Sequence, residues 1–297
     1  LRVRNLLTAT PLTLRGVTIV GNNVNAGSAG GGLKVDLTVM ETKGLTINSN
    51  SVGGPTVSTS SLTTLAGAIE VKATKGANNA EMILEDVSVI GNTVVGGPVG
   101  IWLDTADVAK QRGIRITENN LSDNPPLNGA ATGFSIRYDI NGTLAATDAV
   151  NICIDDNTSH TSAASYRTRF RFESSPTQVQ IRGLSICGNE LTGRGGMSIV
   201  LTPTSQSRYV NVKVDRNTVT GTLQTEPEYP DQGMIFNWTA PADDTKHIIQ
   251  NFSFSHNQID VQGTAAETVR GMWIKFNQLD SFPSFLHGLS VDGNRVQ

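Results

Sequence analysis

One eight-residue phrase recurs along this chain in the order apolar–x–apolar–x–x–Asn–x–apolar. It reads VTIVGNNV at 17–24, LTINSNSV at 45–52, VSVIGNTV at 87–94, IRITENNL at 114–121 and ICIDDNTS at 152–159. It continues as LSICGNEL at 184–191, VKVDRNTV at 212–219, FSFSHNQI at 252–259 and LSVDGNRV at 289–296. Within each phrase the apolar residues alternate with period 2, which points one side chain in two inward along a strand. A fixed phrase at a variable spacing of 27 to 42 residues predicts stacked coils joined by loops of unequal length. The aligned asparagines are Asn22, Asn50, Asn92, Asn119, Asn157, Asn189, Asn217, Asn257 and Asn294. An asparagine at one point of every coil can bond its amide to the coils above and below, so these residues are expected to form an internal ladder.

Most coils carry two further apolar stretches. One follows a glycine, as in Gly32–Leu37, Gly67–Ala73, Gly100–Asp104, Gly133–Tyr138, Gly196–Leu201, Gly233–Trp238 and Gly271–Phe276. The other is shorter and runs straight into the next phrase, as in Val179–Gly183. Six positions before each ladder asparagine stand Gly16, Gly44, Asp86, Gly113, Asn151, Gly183, Asn211, Asn251 and Gly288. Only Gly, Asn and Asp occur there, the residues that tolerate φ > 0, so each coil should bend through a left-handed residue. Three short strands per coil with inward Val, Ile, Leu and Phe predict an all-β fold, a single-stranded right-handed parallel β-helix of about eight to nine coils. The repeat covers 1–297 without a break, which reads as one continuous domain. The chain opens at Leu1 and stops at Gln297 inside a repeat, so it is expected to be a segment of a longer polypeptide.

This repeat grammar resembles the pectate-lyase-like superfamily, which includes polysaccharide lyases, galacturonases, phage tailspikes and surface adhesins. The resemblance implies an extracellular, cell-surface or virion-surface location and a polysaccharide or cell-surface glycan as partner, and it admits a homotrimer. Individual motifs depart from the family. IWLD at 101–104 is similar to the pectate-lyase IWIDH phrase, but Thr105 stands in place of the histidine. Asp155–Asp156 is similar to the galacturonase double aspartate, yet the companion elements are missing and Asp156 falls at the turn position held elsewhere by glycine.

Composition removes other classes. Charged residues are 16% of the chain and the net charge is −3, too weak and of the wrong sign for nucleic-acid binding. No apolar run is long enough to insert in a membrane. No phosphate loop, metal-ligand spacing or nucleophile elbow occurs, so no cofactor or metal is expected. Cys153 and Cys187 lie in neighbouring coils two residues out of register. That puts their Cα atoms about 8 Å apart, beyond disulfide reach, and predicts two free thiols.

In a β-helix, equivalent side chains stack about 4.8 Å apart, so candidate chemistry appears in outward columns. Aligning the second strands on their glycines sets Asp104 level with Arg137 and Arg171, Trp102 level with Ser135 and Arg169, and Asp139 level with Glu173. Coils three to five then gather Trp102, Asp104, Arg137, Asp139, Arg169, Arg171 and Glu173 on one face. Indoles stack on sugar rings, arginines hold carboxylates or hydroxyls, and Asp104, Asp139 and Glu173 are the candidate catalytic acids. The same residues also fit a surface ladder of cross-coil ion pairs, Asp104 with Arg137 and Asp139 with Arg171. Further candidates for glycan contact are Tyr229, Trp238 and Trp273, in or beside the loops of coils seven and eight; they would line a cleft or seal a chain–chain contact. A broken basic rail, Arg15, Lys43, Arg112 and Arg182, precedes the left-handed bends on another edge. Three readings stay open: a glycan-presenting shaft, a polysaccharide lyase or glycosidase, and a structural fibre spacer.

Overall fold

The computed structural model describes residues 1–4, 13–25, 32–38, 41–54, 67–75, 81–97, 99–122, 134–160, 170–194, 196–222, 232–240, 247–262, 270–278 and 285–297. Among these the chain is all strand and turn, with no helix. Two sheets run through the stack, one of seventeen strands and one of nine, and every pairing is parallel. The fold is a parallel β-helix.

Each coil contributes to the large sheet twice. The second stretch forms strands such as Leu33–Leu37, Val99–Ala106 and Met197–Leu201. The third stretch and the first half of the next phrase form one bent strand, such as Glu41–Asn48, Lys110–Thr117 or Ser207–Asp215. The bend is the left-handed residue six positions before the ladder asparagine. All nine have positive φ, from 52° at Asp86 to 77° at Gly183. After the asparagine, a short strand such as Thr93–Val95 or Thr218–Thr222 joins the nine-stranded sheet.

A second left-handed column sits one residue before each asparagine. It holds Gly21, Ser49, Gly91, Glu118, Asp156, Gly188, Arg216, His256 and Gly293, with φ between 52° and 65°. Glu118, Arg216 and His256 have no intrinsic preference for this region, where an L-residue costs about 1–2 kcal/mol. Asp156 is therefore a turn residue of the repeat, and its pairing with Asp155 follows from that role.

The ladder makes these turns worth their strain. Asn22 Nδ2 donates to Asn50 Oδ1 at 2.9 Å, Asn50 to Asn92 at 3.0 Å, Asn92 to Asn119 at 3.0 Å and Asn119 to Asn157 at 2.9 Å. The chain continues to Asn189, Asn217, Asn257 and Asn294, each at 2.9 Å. Each acceptor Oδ1 also takes the backbone N–H of the preceding asparagine, for example Asn157 N at 3.2 Å on Asn189 Oδ1. From Asn50 onward each Nδ2 also reaches a carbonyl of the coil before, as Asn189 does to Ile154 O at 2.8 Å. Buried amides thereby keep their donors and acceptors filled.

Inward columns fill the interior with Val35, Val71, Leu103, Tyr138, Phe172 and Ile199, all buried. Burying each such side chain contributes about 1.5–3 kcal/mol. Towards the last coils the core turns aromatic: Phe236 meets Phe254 at 5.1 Å, Phe276 at 5.3 Å and Phe252 at 5.4 Å. Trp238 belongs to this interior. It occupies an inward position of the strand Gln232–Ala240, is 2% exposed and packs edge-on against His247 at 5.6 Å. The expectation that Trp238 offers a face to a ligand is therefore corrected: strand alternation, starting from Met234 and Phe236, carries it inward.

Candidate surface site on coils three to five

The second-strand face differs in register from the glycine-based alignment. Val99 pairs with Phe134 and Ile101 with Ile136, so Gly100 falls level with Ser135 instead of Gly133. Inward apolar residues set the pairing, because a slip would turn them outward. Trp102 consequently stands beside Arg137 and Arg137 beside Arg171, while Asp104, Asp139 and Glu173 form one column in consecutive coils. The column of acids continues a run of Asp36 and Lys72 from the earlier coils.

Like charges one strand apart repel, and this stack is compensated locally. Asp139, at 1% exposure, accepts a hydrogen bond from Trp102 Nε1 at 2.9 Å and one from Arg137 Nε at 2.6 Å. Arg137 thus bonds to the aspartate two residues along its own strand. Its guanidinium carbon lies 5.2 Å from the ring centres of both Trp102 and Phe134. Asp104 pairs with Lys72, Nζ to Oδ2 at 3.6 Å. The expected Asp104–Arg137 pair is thus replaced by these two, and the expected Asp139–Arg171 pair lies outside the described residues with the Arg171 side chain. The result is a held Arg–Trp–Asp cluster with half-buried Trp102, Asp104 and Arg137 at the surface. A charge-assisted bond and a cation–π stack fix the guanidinium in place.

Arg169 and Tyr229 lie outside the described residues, as do the side chains of Arg171 and Glu173. Trp273 is on the outward column of the same face, four coil steps beyond Arg137, with Lys275 Nζ 5.5 Å from its ring centre. The structure therefore brings Trp102, Asp104, Arg137 and Asp139 together and leaves Trp273 far along the same surface.

The basic rail is neutralised. Lys43 pairs with Glu85 at 3.2 Å, Arg112 with Glu85 at 3.8 Å, Arg15 with Glu41 at 3.4 Å and Arg182 with Asp148 at 2.8 Å. The carboxylates come from the rail itself and from the column two residues earlier, which a single-column reading does not see.

The phrase strands carry another polar cluster. Cys153 and Cys187 are free thiols, with Cys153 level with Ser185 and thus two residues out of register, as the spacing predicts. Cys153 Sγ donates to Asp155 Oδ2 at 2.9 Å; burial, then the bond to Asp155 and its charge, push the thiol up to about 12. Burial also raises the Cys187 thiol. One coil on, burial pushes the Asp215 carboxyl up. Bonds from Ser255, Lys213 and His256 more than offset this and hold it below the ordinary carboxylate value.

These features define the class, a parallel β-helix with rigid outward columns of mixed charge and aromatic character. Comparison with protein-family models, with curated proteins and with solved structures finds no match.

Proposed function

We propose that this chain is a rigid extracellular or virion-surface shaft that presents its outward face and loops to surface glycans, in the manner of tailspikes and adhesins of the pectate-lyase-like superfamily. The observation that carries this reading is the register on coils three to five. Trp102, Arg137 and Arg171 share one column directly beside Asp104, Asp139 and Glu173. Aromatic rings, guanidinium groups and carboxylates at a fixed pitch of about 4.8 Å suit a ligand whose own groups repeat along a chain. A scaffold locked by the ladder loses little freedom on binding, which favours affinity.

A second reading is hydrolysis or elimination on a polysaccharide. It is favoured by Asp139 and Glu173 being level in adjacent coils, which sets their backbones about 4.8 Å apart, and a pair of carboxyls is what glycoside cleavage uses. Against it, Asp139 is buried and already holds Trp102 and Arg137. A glycan array combined with reducing-end and 235-nm unsaturation assays tests both. The shaft reading expects binding without turnover, with Arg137→Ala weakening it about tenfold or more. Turnover abolished by Asp139→Asn with Glu173→Gln would instead establish the enzyme. Absence of binding to any member would leave a structural spacer.

A further inference from the structure

The face formed by the third strands carries a groove that none of the candidate residues above occupies. Its volume is about 340 Å³, and its lining includes Lys110, Asp148, Gln178, Gln180, Gln206 and Arg208. That volume lies within the range of small-molecule sites, roughly 300–1,000 Å³. The floor is fixed by buried hydroxyls with partners of their own. Thr147 Oγ1 donates to Val108 O at 3.1 Å, and Ser207 Oγ bonds with His247 Nδ1 at 2.8 Å.

Along the walls most charge is already answered. Lys110 Nζ pairs with Glu81 at 3.1 Å. Arg182 grips both oxygens of Asp148, at 2.8 and 2.9 Å. Arg208 is exposed and has no carboxylate within ion-pair reach among the described residues. It sits level with Gln180 in the preceding coil, and Gln206 and Gln178 flank the paired Ser207 and Val179. Three carboxamides and one guanidinium therefore mark the corners of a rectangle about 6.6 Å along the strands and about 4.8 Å across them. Each carboxamide offers a donor and an acceptor, the combination a sugar hydroxyl needs, and the guanidinium fork matches a carboxylate. The single charge of the Arg208 guanidinium, which meets no carboxylate among the described residues, matches a carboxylate better than the near-double charge of a phosphate monoester.

We propose that this groove is a subsite for a carboxylate-bearing sugar residue of an oligosaccharide. Arg208 anchors the carboxylate, and Gln178, Gln180 and Gln206 engage hydroxyls. The assignment rests on the glycan-binding reading for its ligand class and places recognition on a different face from Trp102 and Arg137.

The test is titration of the ¹⁵N-labelled intact chain with trigalacturonate, with 3′-sialyllactose, with maltotriose as the neutral probe and with glucose 6-phosphate. The expected result is that a carboxylated probe shifts the side-chain amides of Gln178, Gln180 and Gln206. Arg208→Ala should weaken that response at least tenfold without lowering the melting temperature, and Arg208→Lys should restore part of it. The groove assignment is overturned if neither carboxylated probe moves these amides, if maltotriose or glucose 6-phosphate moves them as strongly, or if Arg208→Ala responds as wild type. Shifts at Trp102 Nε1 with the glutamines unmoved would overturn it while sparing the second-strand reading. Silence at both places with every probe would overturn both.

Discussion

Replacing Asn189 by Leu interrupts the ladder in mid-stack, and its effect follows from the bonds that residue makes. Asn189 Nδ2 donates to Asn217 Oδ1 at 2.9 Å and to Ile154 O at 2.8 Å. Its Oδ1 accepts from Asn157 N at 3.2 Å and Asn157 Nδ2 at 2.9 Å. Asn157 Nδ2 keeps its bonds to Ile116 O and Asp155 O after the substitution, and Asn217 Oδ1 keeps the Asn189 backbone N–H. The Asn157 N–H and the Ile154 carbonyl lose their ladder partner inside the stack. Each of the two unsatisfied buried groups costs about 1–3 kcal/mol, and burial of the leucine returns about 1.5–3 kcal/mol, leaving a net loss of about 1–3 kcal/mol. Asn22 is the contrasting site: it is half-buried, donates to Asn50, and among the described residues no donor reaches its side-chain oxygen. Asn22→Leu should therefore cost less than about 1 kcal/mol. Urea denaturation followed by circular dichroism measures both, with the midpoint moving and the slope held. Equal losses at the two positions would refute the argument that ladder bonds carry the energy.

Glu118 occupies a left-handed turn with φ of 57°, so Glu118→Gly should stabilise the chain by about 0.5–1 kcal/mol, while Gly91→Ala at the equivalent turn should destabilise it. Thermal melts give both signs, and a destabilising Glu118→Gly would contradict the strain argument. Thiol titration of the unfolded, unreduced chain should report two free thiols, and in the folded chain Cys153 should alkylate about a thousandfold more slowly than an ordinary thiol at pH 8, since its pKa near 12 stands above 9.0. A 153–187 bridge in the mass spectrum would overturn the coil register. Asp215 has a folded pKa below the ordinary 3.8, so its contribution to stability is complete above that value and is lost as pH falls through the folded pKa. Asp215→Asn should lower stability at neutral pH and flatten the acid limb of the stability profile; an unchanged limb would show that its bonds to Ser255 and Lys213 carry no net energy.

The parallel β-helix was legible because its determinants are local and repeat. A period-2 apolar pattern, an asparagine at one point and a Gly, Asn or Asp six residues earlier each have a direct conformational reading. The second left-handed column was legible only in part, as a turn that glycine holds in several coils, because Glu118, Arg216 and His256 do not favour φ > 0; their backbone bonds to the next coil and the ladder bonds beside them hold that geometry. The candidate site was legible as a set of residues but not as an arrangement. Glycines mark bends, whereas pairing follows inward residues, so Ile101 stands against Ile136, two positions away from the register that the glycines of coils three and four suggest. Asp139 shows the same limit: outward alternation identifies its column, but not that Trp102 and Arg137 close over its carboxylate. The Gln178, Gln180, Gln206 and Arg208 array was invisible for a related reason, since its corners lie on two coils and its significance depends on which neighbouring charges are already paired.

The central claim is that one continuous line of buried asparagine amides holds every coil in register. Side-chain amide hydrogen exchange, resolved by nitrogen-edited NMR, measures that line directly. The seven buried members, Asn50, Asn92, Asn119, Asn157, Asn189, Asn217 and Asn257, should exchange orders of magnitude more slowly than exposed amides, slowest near Asn157 and Asn189 and faster towards Asn22 and Asn294. Exchange of those seven at the rate of exposed asparagine side chains would contradict the ladder, and with it the fixed outward columns on which both proposed glycan sites depend.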